Sequence, residues 1–457
     1  MADTPRNVIM FLGDGMGIAT VTAARIYAGQ LAGQAGETHQ LTFERFRHVA
    51  LIKTFSLDYQ VPDSASTMSA IMTGLPSRMG MISMHPEIGR GDCLDAQQRL
   101  PPETLFEQAK NAGMATGIVT TTRVTHATPA AAFAHAPDRT WEDDSKLSPQ
   151  ARSGGCRDIA LQMVEFAQGD GIDVVLGGGR SAFFPKQQTD PEYPGQTGLR
   201  MDGRNLVEEW QARSVQRQFV WNRSQMMSLD EDTTDQILGL FEPSHMKYEM
   251  DRVQLGDDEP DIVEMTEFAI RRLSLADNGF FLLVEGGRID HAHHENNAAR
   301  ALHETVMMDR AVQRALELTN PEHTLVLVTA DHAHTLTISG YAPSGTSILG
   351  GVAPQAGAGT FQRPHTILSY ANGPGYRNVL PDLSEEDLHD PDFQQFAGWP
   401  RSSAAHDGVD VTAYAHGLGA DKLWGVIEQR LLHGVLASAL FGDAVPPRPD
   451  QHVNSTR

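Results

Sequence analysis

The stretch Ile9-Met10-Phe11-Leu12-Gly13-Asp14-Gly15 sets a short apolar run directly before a carboxylate that lies between two glycines. Short apolar runs bounded by glycine and polar residues are typical of buried parallel strands. Three further runs lead to residues that can hold a metal: 117–120 to His126, 280–284 to Glu285, and 325–328 to Asp331 and His332. Because ligands of an open α/β sheet bind at the carboxyl ends of its strands, we expect these side chains to converge.

Strand and helix patterns alternate along most of the chain. Strand patterns cover 49–52 and 173–176, and helical patterns cover 20–30, 64–72, 158–168 and 297–318. This alternation predicts an α/β fold, with a mostly parallel central sheet and helices on both of its faces.

Two regions interrupt the alternation. Residues 183–262 are rich in Asp, Glu, Gln and Pro and predict an insertion with little regular sheet, and residues 339–408 are rich in Gly and Pro and predict a second insertion. The proline-containing stretch 444–457 predicts a flexible tail. We therefore expect one large domain over 1–443 that carries both insertions.

Charge and hydropathy exclude several classes of partner. The formal net charge is −22, so the surface repels nucleic acid and anionic membranes, and an anionic substrate needs local cations. The sequence contains no run of about 18 apolar residues, so we expect no membrane-spanning helix. The first six residues lack the apolar segment of a signal peptide. The two cysteines, Cys93 and Cys156, are either free thiols or a bridge that indicates an oxidising compartment.

Three groups of residues could bind metals. Asp290 and His294 are four apart, so on a helix both project from one face, as two ligands of a zinc ion do. The pair Asp331-His332 follows a strand pattern, and Asp14 ends another. The Asp290–His294 group alone is equally compatible with a polar turn, and the other two groups alone are more typical of turns. Their sum favours zinc, with Asp14 and Glu285 also suited to magnesium.

Two residues could act with such a metal site, one as a nucleophile and one by binding an anionic substrate. Ser64 follows Asp63 at the start of a predicted helix, where it is either an ordinary capping-region residue or a hydroxyl activated by a metal and by the positive helix end. Arg139 is either a surface side chain or a planar fork for two phosphate oxygens.

Five ordered motifs carry a resemblance to a known family. They are FLGDGMG at 11–17, VPDS at 61–64, TTTRVTHATP at 120–129, VEGGRIDH at 284–291 and TADH at 329–332. The chain closely resembles alkaline phosphatases from the first strand to beyond His406. It is most similar to the animal-type branch, since His126 stands where the shorter bacterial type has Asp.

The resemblance implies an alkaline-phosphatase-like fold with a crown-like insertion, and metal-dependent hydrolysis of many phosphate monoesters through a phosphoserine, with an alkaline optimum. It implies that Ser64 is the nucleophile and that Arg139 binds the phosphate. The implied cofactors are a first zinc on Asp290, His294 and His406, a second zinc on Asp14, Asp331 and His332, and a magnesium on Asp14, Thr128 and Glu285, with His126 beside it.

The resemblance also implies features outside this centre. A possible calcium site consists of Glu192, Glu242, the carbonyl of Phe241 and an acidic residue near Pro260, for which Glu259 is preferred to Asp257 or Asp258.

Cys93 and Cys156 fall where the family has a disulfide, which implies a periplasmic or secreted protein. A homodimer is implied, with Tyr341 reaching the neighbouring active site. Ser403 stands where the family pattern has an acidic residue.

Two alternatives remain at this stage. Phosphodiesterases and sulfatases of the wider superfamily have related metal sites, and Arg139, which suits a dianionic monoester, argues against them. A metal- or phosphate-binding protein without turnover is the other alternative, and the presence of Ser64 argues against it.

Overall fold

The computed structural model describes residues 6–230, 234–352, 364–379, 383 and 386–442, so the predicted tail at 444–457 lies outside the described residues. The strands are β1 Asn7–Gly13, β2 His48–Lys53, β3 Ala115–Arg123, β4 Val174–Gly178, β5 Arg217–Val220, β6 Gln236–Leu240, β7 Phe280–Gly286, β8 Thr324–Ala330, β9 Ala333–His334, β10 Leu336–Ile338, β11 Gly351–Val352, β12 His365–Thr366, β13 Leu368–Tyr370, β14 His406–Asp407, β15 Val411–Gly417 and β16 Gly425–Glu428.

Ten of these strands form one central sheet in the order β16-β2-β15-β8-β1-β7-β3-β4-β6-β5. Strand β15 runs antiparallel to both of its neighbours, β2 and β8. The remaining neighbours are parallel. The predicted mostly parallel sheet is confirmed.

Two groups of helices flank the sheet. The helices are α1 Ile18–Leu31, α2 Ser64–Thr73, α3 Cys93–Gln98, α4 Leu105–Asn111, α5 Ala127–Phe133, α6 Pro149–Ser153, α7 Ile159–Val164, α8 Leu206–Gln211, α9 Arg223–Met227, α10 Glu249–Leu255, α11 Ile262–Leu273, α12 Arg288–His294, α13 Ala298–Leu318 and α14 Leu432–Phe441. Helix α13 packs on α1, α10 and α11, while α14, α2, α4 and α5 pack on one another. Both groups contact the central strands, and the core between them includes the fully buried residues 8–12 of β1.

Local sequence explains the helix boundaries near the centre of the sheet. Asp63 caps α2 by accepting a hydrogen bond from the Ser66 amide, and Gly74 ends the helix with a left-handed φ of 73°. Asn297 caps α13, in agreement with the predicted helix at 297–318. The helix predicted at 158–168 is shorter and ends at Val164, since the chain then turns to reach β4.

The region 183–262 differs from the expectation of little regular sheet. Strands β5 and β6 lie within it and form one end of the central sheet. Each residue of β6 is buried, so this five-residue strand is held by tertiary packing within a polar stretch of sequence. In 339–408, the described strands are short and pair in two-stranded ribbons.

Two features bear on the protein's environment. Cys93 and Cys156 form a disulfide with a Cα–Cα distance of 5.9 Å. Within the described ranges, no helix combines the length and apolar character that crossing a membrane requires.

Candidate active site

The four predicted strand ends meet at one edge of the sheet. Strands β8, β1, β7 and β3 are consecutive neighbours. Gly13 pairs with Ala330, which sets the following residues Asp14 and Asp331 side by side. Leu12 and Thr120 both pair with Glu285. The convergence expected from the sequence is confirmed.

One group of donors consists of Asp14, Asp331 and His332, and all three are buried. One ligand atom from each lies within 4.8 Å of the others. His332 Nε2 is 3.4 Å from Asp14 Oδ1 and 3.3 Å from Asp331 Oδ2. In the described part of the chain, Asp331 Oδ2 is buried without a hydrogen-bond partner, so it is available to a cation.

A second group surrounds Asp290. His294 lies on the same face of α12, with Nε2 3.3 Å from Asp290 Oδ2. His406 arrives from β14, and its Nε2 is 3.2 Å from His294 Nε2 and 3.5 Å from Asp290 Oδ1. The structure thus brings together the three residues predicted to share a zinc.

His334 belongs to this second group, although sequence reasoning gave it no role. Its Nε2 lies 2.5 Å from Asp290 Oδ1, and it shares a potential metal-binding group with Asp290, His332 and His406. The antiparallel pairing of His334 in β9 with His406 in β14 positions both rings. The signal in the sequence was its place two residues after His332, which alone does not fix its direction.

The third group contains Asp14, His126 and Glu285, again with mutual distances within 4.8 Å. Glu285 Oε2 accepts hydrogen bonds from Thr120 and Thr122. Among the described residues, Glu285 Oε1 and Thr128 Oγ1 are buried and have no hydrogen-bond partner of normal geometry. An oxygen-rich set with unsatisfied buried atoms fits a hard cation such as magnesium.

Ser64 is the first residue of α2 and is buried beside the first donor group. Its Oγ lies 3.4 Å from Asp14 Oδ2 and 3.3 Å from His332 Nε2. The N-terminus of the ten-residue helix adds positive potential at this hydroxyl. The position therefore suits a nucleophile that attacks an anionic group.

Arg139 lies at the mouth of the same site. Its Nη1 donates to Asp63 Oδ2 over 3.0 Å, and its Nη2 is 3.1 Å from His126 Nε2. A cavity of about 600 Å³ opens beside it, lined among others by Arg123, His126 and Lys146. The guanidinium is held so that it can face an anion bound near Ser64.

Comparison with known proteins decides the family. Residues 5–441 match the family model described as alkaline phosphatase. The chain belongs to the alkaline phosphatase family. It is 45% identical over 443 residues to the tissue-nonspecific alkaline phosphatase of Felis catus and 44% identical to that of Homo sapiens, covering 95% of this chain and 83% of each relative. The alkaline phosphatase of Gadus morhua is 44% identical, and the match covers 96% of this chain and 92% of that relative.

Solved alkaline phosphatases share the fold. The Thermus thermophilus enzyme has a TM-score of 0.68 and 26% identity, covering 96% of this chain and 92% of that one. The enzyme of the Antarctic bacterium TAB5 has a TM-score of 0.66 and 20% identity, covering 96% and 99%. The protein is thus a metal-dependent phosphoric monoester hydrolase with the alkaline phosphatase fold.

The electrostatics of this alkaline phosphatase site favour cations. Burial, followed by repulsion from Asp331, raises the pKa of Asp14 well above its ordinary value. Burial raises the pKa of Asp331 to about 6 and that of Glu285 to about 7. Several buried carboxylates at short range are unfavourable without positive charge, so the donor set fits divalent metals.

Two imidazoles of the phosphatase site, those of His332 and His406, are in the neutral form that binds a metal. Burial lowers the pKa of His332 and His406 to about 4, so both rings are neutral at physiological pH. His294 differs: burial lowers its pKa, but Asp290 outweighs burial and raises it to about 8. Its Nδ1 is 2.6 Å from the Ala404 carbonyl oxygen and 3.1 Å from Ser403 Oγ. Ser403 thus contacts this ring at the position where the family pattern has an acidic residue.

The predicted calcium ligands have other partners in this alkaline phosphatase. Glu192 Oε2 pairs with Arg180 Nη2 at 3.0 Å. Glu242 and Glu259 both contact the Lys247 ammonium. A calcium ion needs oxygen ligands free of competing cations, so these side chains, as they are arranged, do not fit one.

Proposed function

We propose that this enzyme hydrolyses phosphate monoesters through a phosphoserine on Ser64, with a broad substrate range and an alkaline optimum. The observation that carries the proposal is the position of Ser64 Oγ, 3.4 Å from Asp14 and at the N-terminus of α2. Membership of the alkaline phosphatase family supports the same reaction.

The three donor groups support a proposal of three metal ions. Asp290, His294 and His406 would hold one zinc, Asp14, Asp331 and His332 a second zinc, and Asp14, Thr128 and Glu285 a magnesium beside His126. The nitrogen and carboxylate donors of the first two groups suit zinc, and the oxygen donors of the third suit magnesium. When bound, these ions supply positive charge for the phosphoryl oxygens and favour the deprotonated form of the nucleophile.

The residues of the chain bind and orient the substrate. Arg139 offers two parallel N–H donors to two oxygens of the phosphoryl group, and Asp63 fixes its direction. Asp14 lies within hydrogen-bond distance of the Ser64 hydroxyl and orients its oxygen. The serine oxygen thereby faces phosphorus opposite the ester oxygen that leaves.

Two displacements complete the reaction. In the first, the Ser64 hydroxyl gives up its proton to solvent as its Oγ bonds to phosphorus, the ester P–O bond breaks, and the departing alkoxide takes up a proton from solvent. In the second, the oxygen of a water molecule bonds to phosphorus and the serine P–O bond breaks. The proton that the water loses balances the proton that Ser64 Oγ takes up, so inorganic phosphate is released and the Ser64 hydroxyl is restored. Charge neutralisation acts on the phosphoryl group alone, so the leaving group is weakly selected.

The pH dependence of metal binding supports the proposed alkaline optimum. Ligand carboxylates must be deprotonated to bind a metal. Because burial raises the pKa of Asp331 to about 6 and of Glu285 to about 7, acidic solution protonates ligands that alkaline solution leaves free. Activity should therefore rise with pH through neutrality.

Assembly and location are further parts of the proposal. Tyr341 and Trp399 expose 73% and 69% of their surface, and exposed aromatics of this kind favour a homodimer contact in the crown-like insertion at 339–408. The disulfide between Cys93 and Cys156 favours a periplasmic or secreted protein.

The deciding experiment compares an aryl phosphate monoester with an aryl diester and an aryl sulfate at pH ~9 to 10, above the pKa of about 7 of water at catalytic zinc. We expect chelator-sensitive turnover of the monoester and acid-stable labelling of Ser64 by radioactive phosphate. Preferred turnover of the diester or the sulfate would contradict the proposed substrate class. Monoester turnover without labelling of Ser64 would contradict the proposed nucleophile.

A further inference from the structure

The side chain of Lys247 lies among the carboxylates predicted to bind calcium. Its Nζ forms a short ion pair with Glu242 Oε1 and lies 3.2 Å from Asp257 Oδ2 and 3.4 Å from Glu259 Oε2. It also donates to the Tyr193 hydroxyl over 2.9 Å. The ammonium is thus surrounded by oxygen atoms in the way that a bound cation is.

These contacts are built into the site. The backbone amide of Lys247 donates to Glu259 Oε1 over 2.9 Å, so one residue holds this carboxylate through both its main chain and its side chain. Tyr193 in turn donates to Glu242 Oε1 over 2.7 Å. Glu259 and Glu242 expose only 3% and 10% of their side chains, which limits screening of their charge by water.

The ammonium connects three segments that are distant in sequence. Tyr193 belongs to the 183–262 region near its start, Glu242 follows β6, and Asp257 and Glu259 precede α11. A structural cation in such a position holds the segments together by neutralising their charges. Lys247 does so with a side chain that is covalently part of the protein.

A calcium ion and this ammonium exclude one another. Calcium takes six to eight oxygen ligands at about 2.3–2.6 Å, and Glu242 and Glu259 cannot provide them while Lys247 contacts both. Two cations that share the same carboxylates repel each other strongly where the surroundings are poor in water. The third carboxylate of the predicted set, Glu192, is paired with Arg180 at 3.0 Å.

We propose that the Lys247 ammonium occupies the position of the calcium ion predicted from the sequence, and that this protein fills its fourth cation site with its own side chain. Removal of the ammonium exposes an oxygen-rich site that accepts a divalent cation. The proposal concerns stability and cation binding, so it does not depend on the proposed catalytic mechanism.

The test uses the full-length holoenzyme with zinc and excess magnesium present throughout. Calcium binding is measured with radioactive calcium by equilibrium dialysis, and the melting temperature is measured with and without calcium chloride. We expect the unmodified protein to bind no calcium under these conditions and to show an unchanged melting temperature. We expect Lys247→Gln to melt several degrees lower and to regain stability with one bound calcium per chain.

Lys110→Gln is the matched control. Lys110 is also a largely buried lysine that pairs with two carboxylates, Asp170 at 2.7 Å and Asp173 at 3.1 Å. Its replacement should lower the melting temperature without any response to calcium. A response of both variants would show that calcium acts elsewhere and would overturn the assignment.

Three results would contradict the proposal. The first is one equivalent of calcium bound by the unmodified protein and lost in Glu259→Gln. The second is a Lys247→Gln protein as stable as its parent without calcium, and the third is a destabilised variant that calcium does not restore. If Lys247→Gln fails to fold, binding by the unmodified protein alone decides the question.

Discussion

The guanidinium of Arg139 donates to Asp63 Oδ2 over 3.0 Å, so the proposed phosphate clamp is fixed to the residue directly before Ser64. Asp63 also caps α2 through Ser66 and accepts hydrogen bonds from the Gly80 amide. The pair with Arg139 lowers the pKa of Asp63 although burial raises it. One ionised carboxylate therefore positions both the clamp and the helix that carries the nucleophile.

Replacing Arg139 by lysine should weaken phosphate recognition. Lysine keeps the charge but loses the planar pair of donors, so we expect kcat/KM to fall by about 10- to 100-fold, the equivalent of about one hydrogen bond to a charged group. Inhibition by inorganic phosphate should weaken in parallel. Arg90→Lys, which replaces the two-donor contact of Arg90 with Asp138 by a single ammonium, is the control and should leave both quantities unchanged. Equal phosphate inhibition in Arg139→Lys and the parent would contradict the assigned role.

Replacing Ser64 by alanine should abolish the covalent intermediate. We expect kcat to fall by at least about 10³-fold, because the nucleophile is lost while the cationic site persists. Ser66→Ala is the control, since Ser66 is buried on the same helix and bonds to Ser56 Oγ at 2.6 Å. Labelled phosphoserine should vanish in the first variant and persist in the second. Persistent labelling in Ser64→Ala would identify another nucleophile.

Removal of the metals should destabilise the protein as well as inactivate it. Without cations, the buried carboxylates of Asp14, Asp331 and Asp290 repel one another. At a metal concentration 100-fold above the dissociation constant, each ion adds about 2.7 kcal/mol to the free energy of unfolding. Calorimetry after exhaustive chelation should show a lower melting temperature, restored by zinc and magnesium. An unchanged melting temperature in protein shown by elemental analysis to be metal-free would contradict this expectation.

The pH dependence of stability should include a contribution from Glu304, which is not one of the proposed metal ligands. Burial raises the pKa of Glu304 from 4.5 to about 7, and its Oε1 accepts a hydrogen bond from the Glu249 amide. The folded state therefore retains a proton that the unfolded state loses near pH 4.5. The resulting stabilisation is complete below pH 4.5 and is lost as the pH rises through about 7.

Glu304→Gln should remove this dependence. Between pH 5 and pH 8 the parent should lose roughly 2 to 3 kcal/mol of unfolding free energy that the variant does not lose. Denaturant titrations at both pH values measure the difference. Glu317→Gln on the same helix is the control, because Arg314 lowers the pKa of Glu317 and keeps its titration below this range. If the unfolding free energies of the parent and of Glu304→Gln change with pH in the same way, the assignment of this pH dependence to Glu304 is wrong.

Reduction of the disulfide should lower stability without removing the active site. The bond between Cys93 and Cys156 closes a loop with a sequence separation of 63 residues. The chain-entropy model assigns such a loop about 4 kcal/mol. The double variant with Cys93→Ser and Cys156→Ser should unfold at lower denaturant concentration and keep its kcat. An unchanged unfolding midpoint would show that the bridge contributes nothing.

The sequence predicted strands β1, β3, β7 and β8 well because they are buried on both faces. Residues 8–12 and 325–328 are almost continuously apolar and stand out from their surroundings. Strands β5 and β6 escaped prediction because they are short and lie in a polar region, where pairing with the sheet decides their conformation.

For the active site, the sequence by itself determined which donor residues follow the strands and, through five motifs, the family. It could not determine the role of His334, because the direction of that ring depends on the pairing of β9 with β14. It also could not show Lys247 among the carboxylates of the predicted calcium site. A strand end is encoded locally, within a few residues of apolar sequence, whereas the position of a long side chain between three distant segments depends on how those segments pack, and only the tertiary structure decides that.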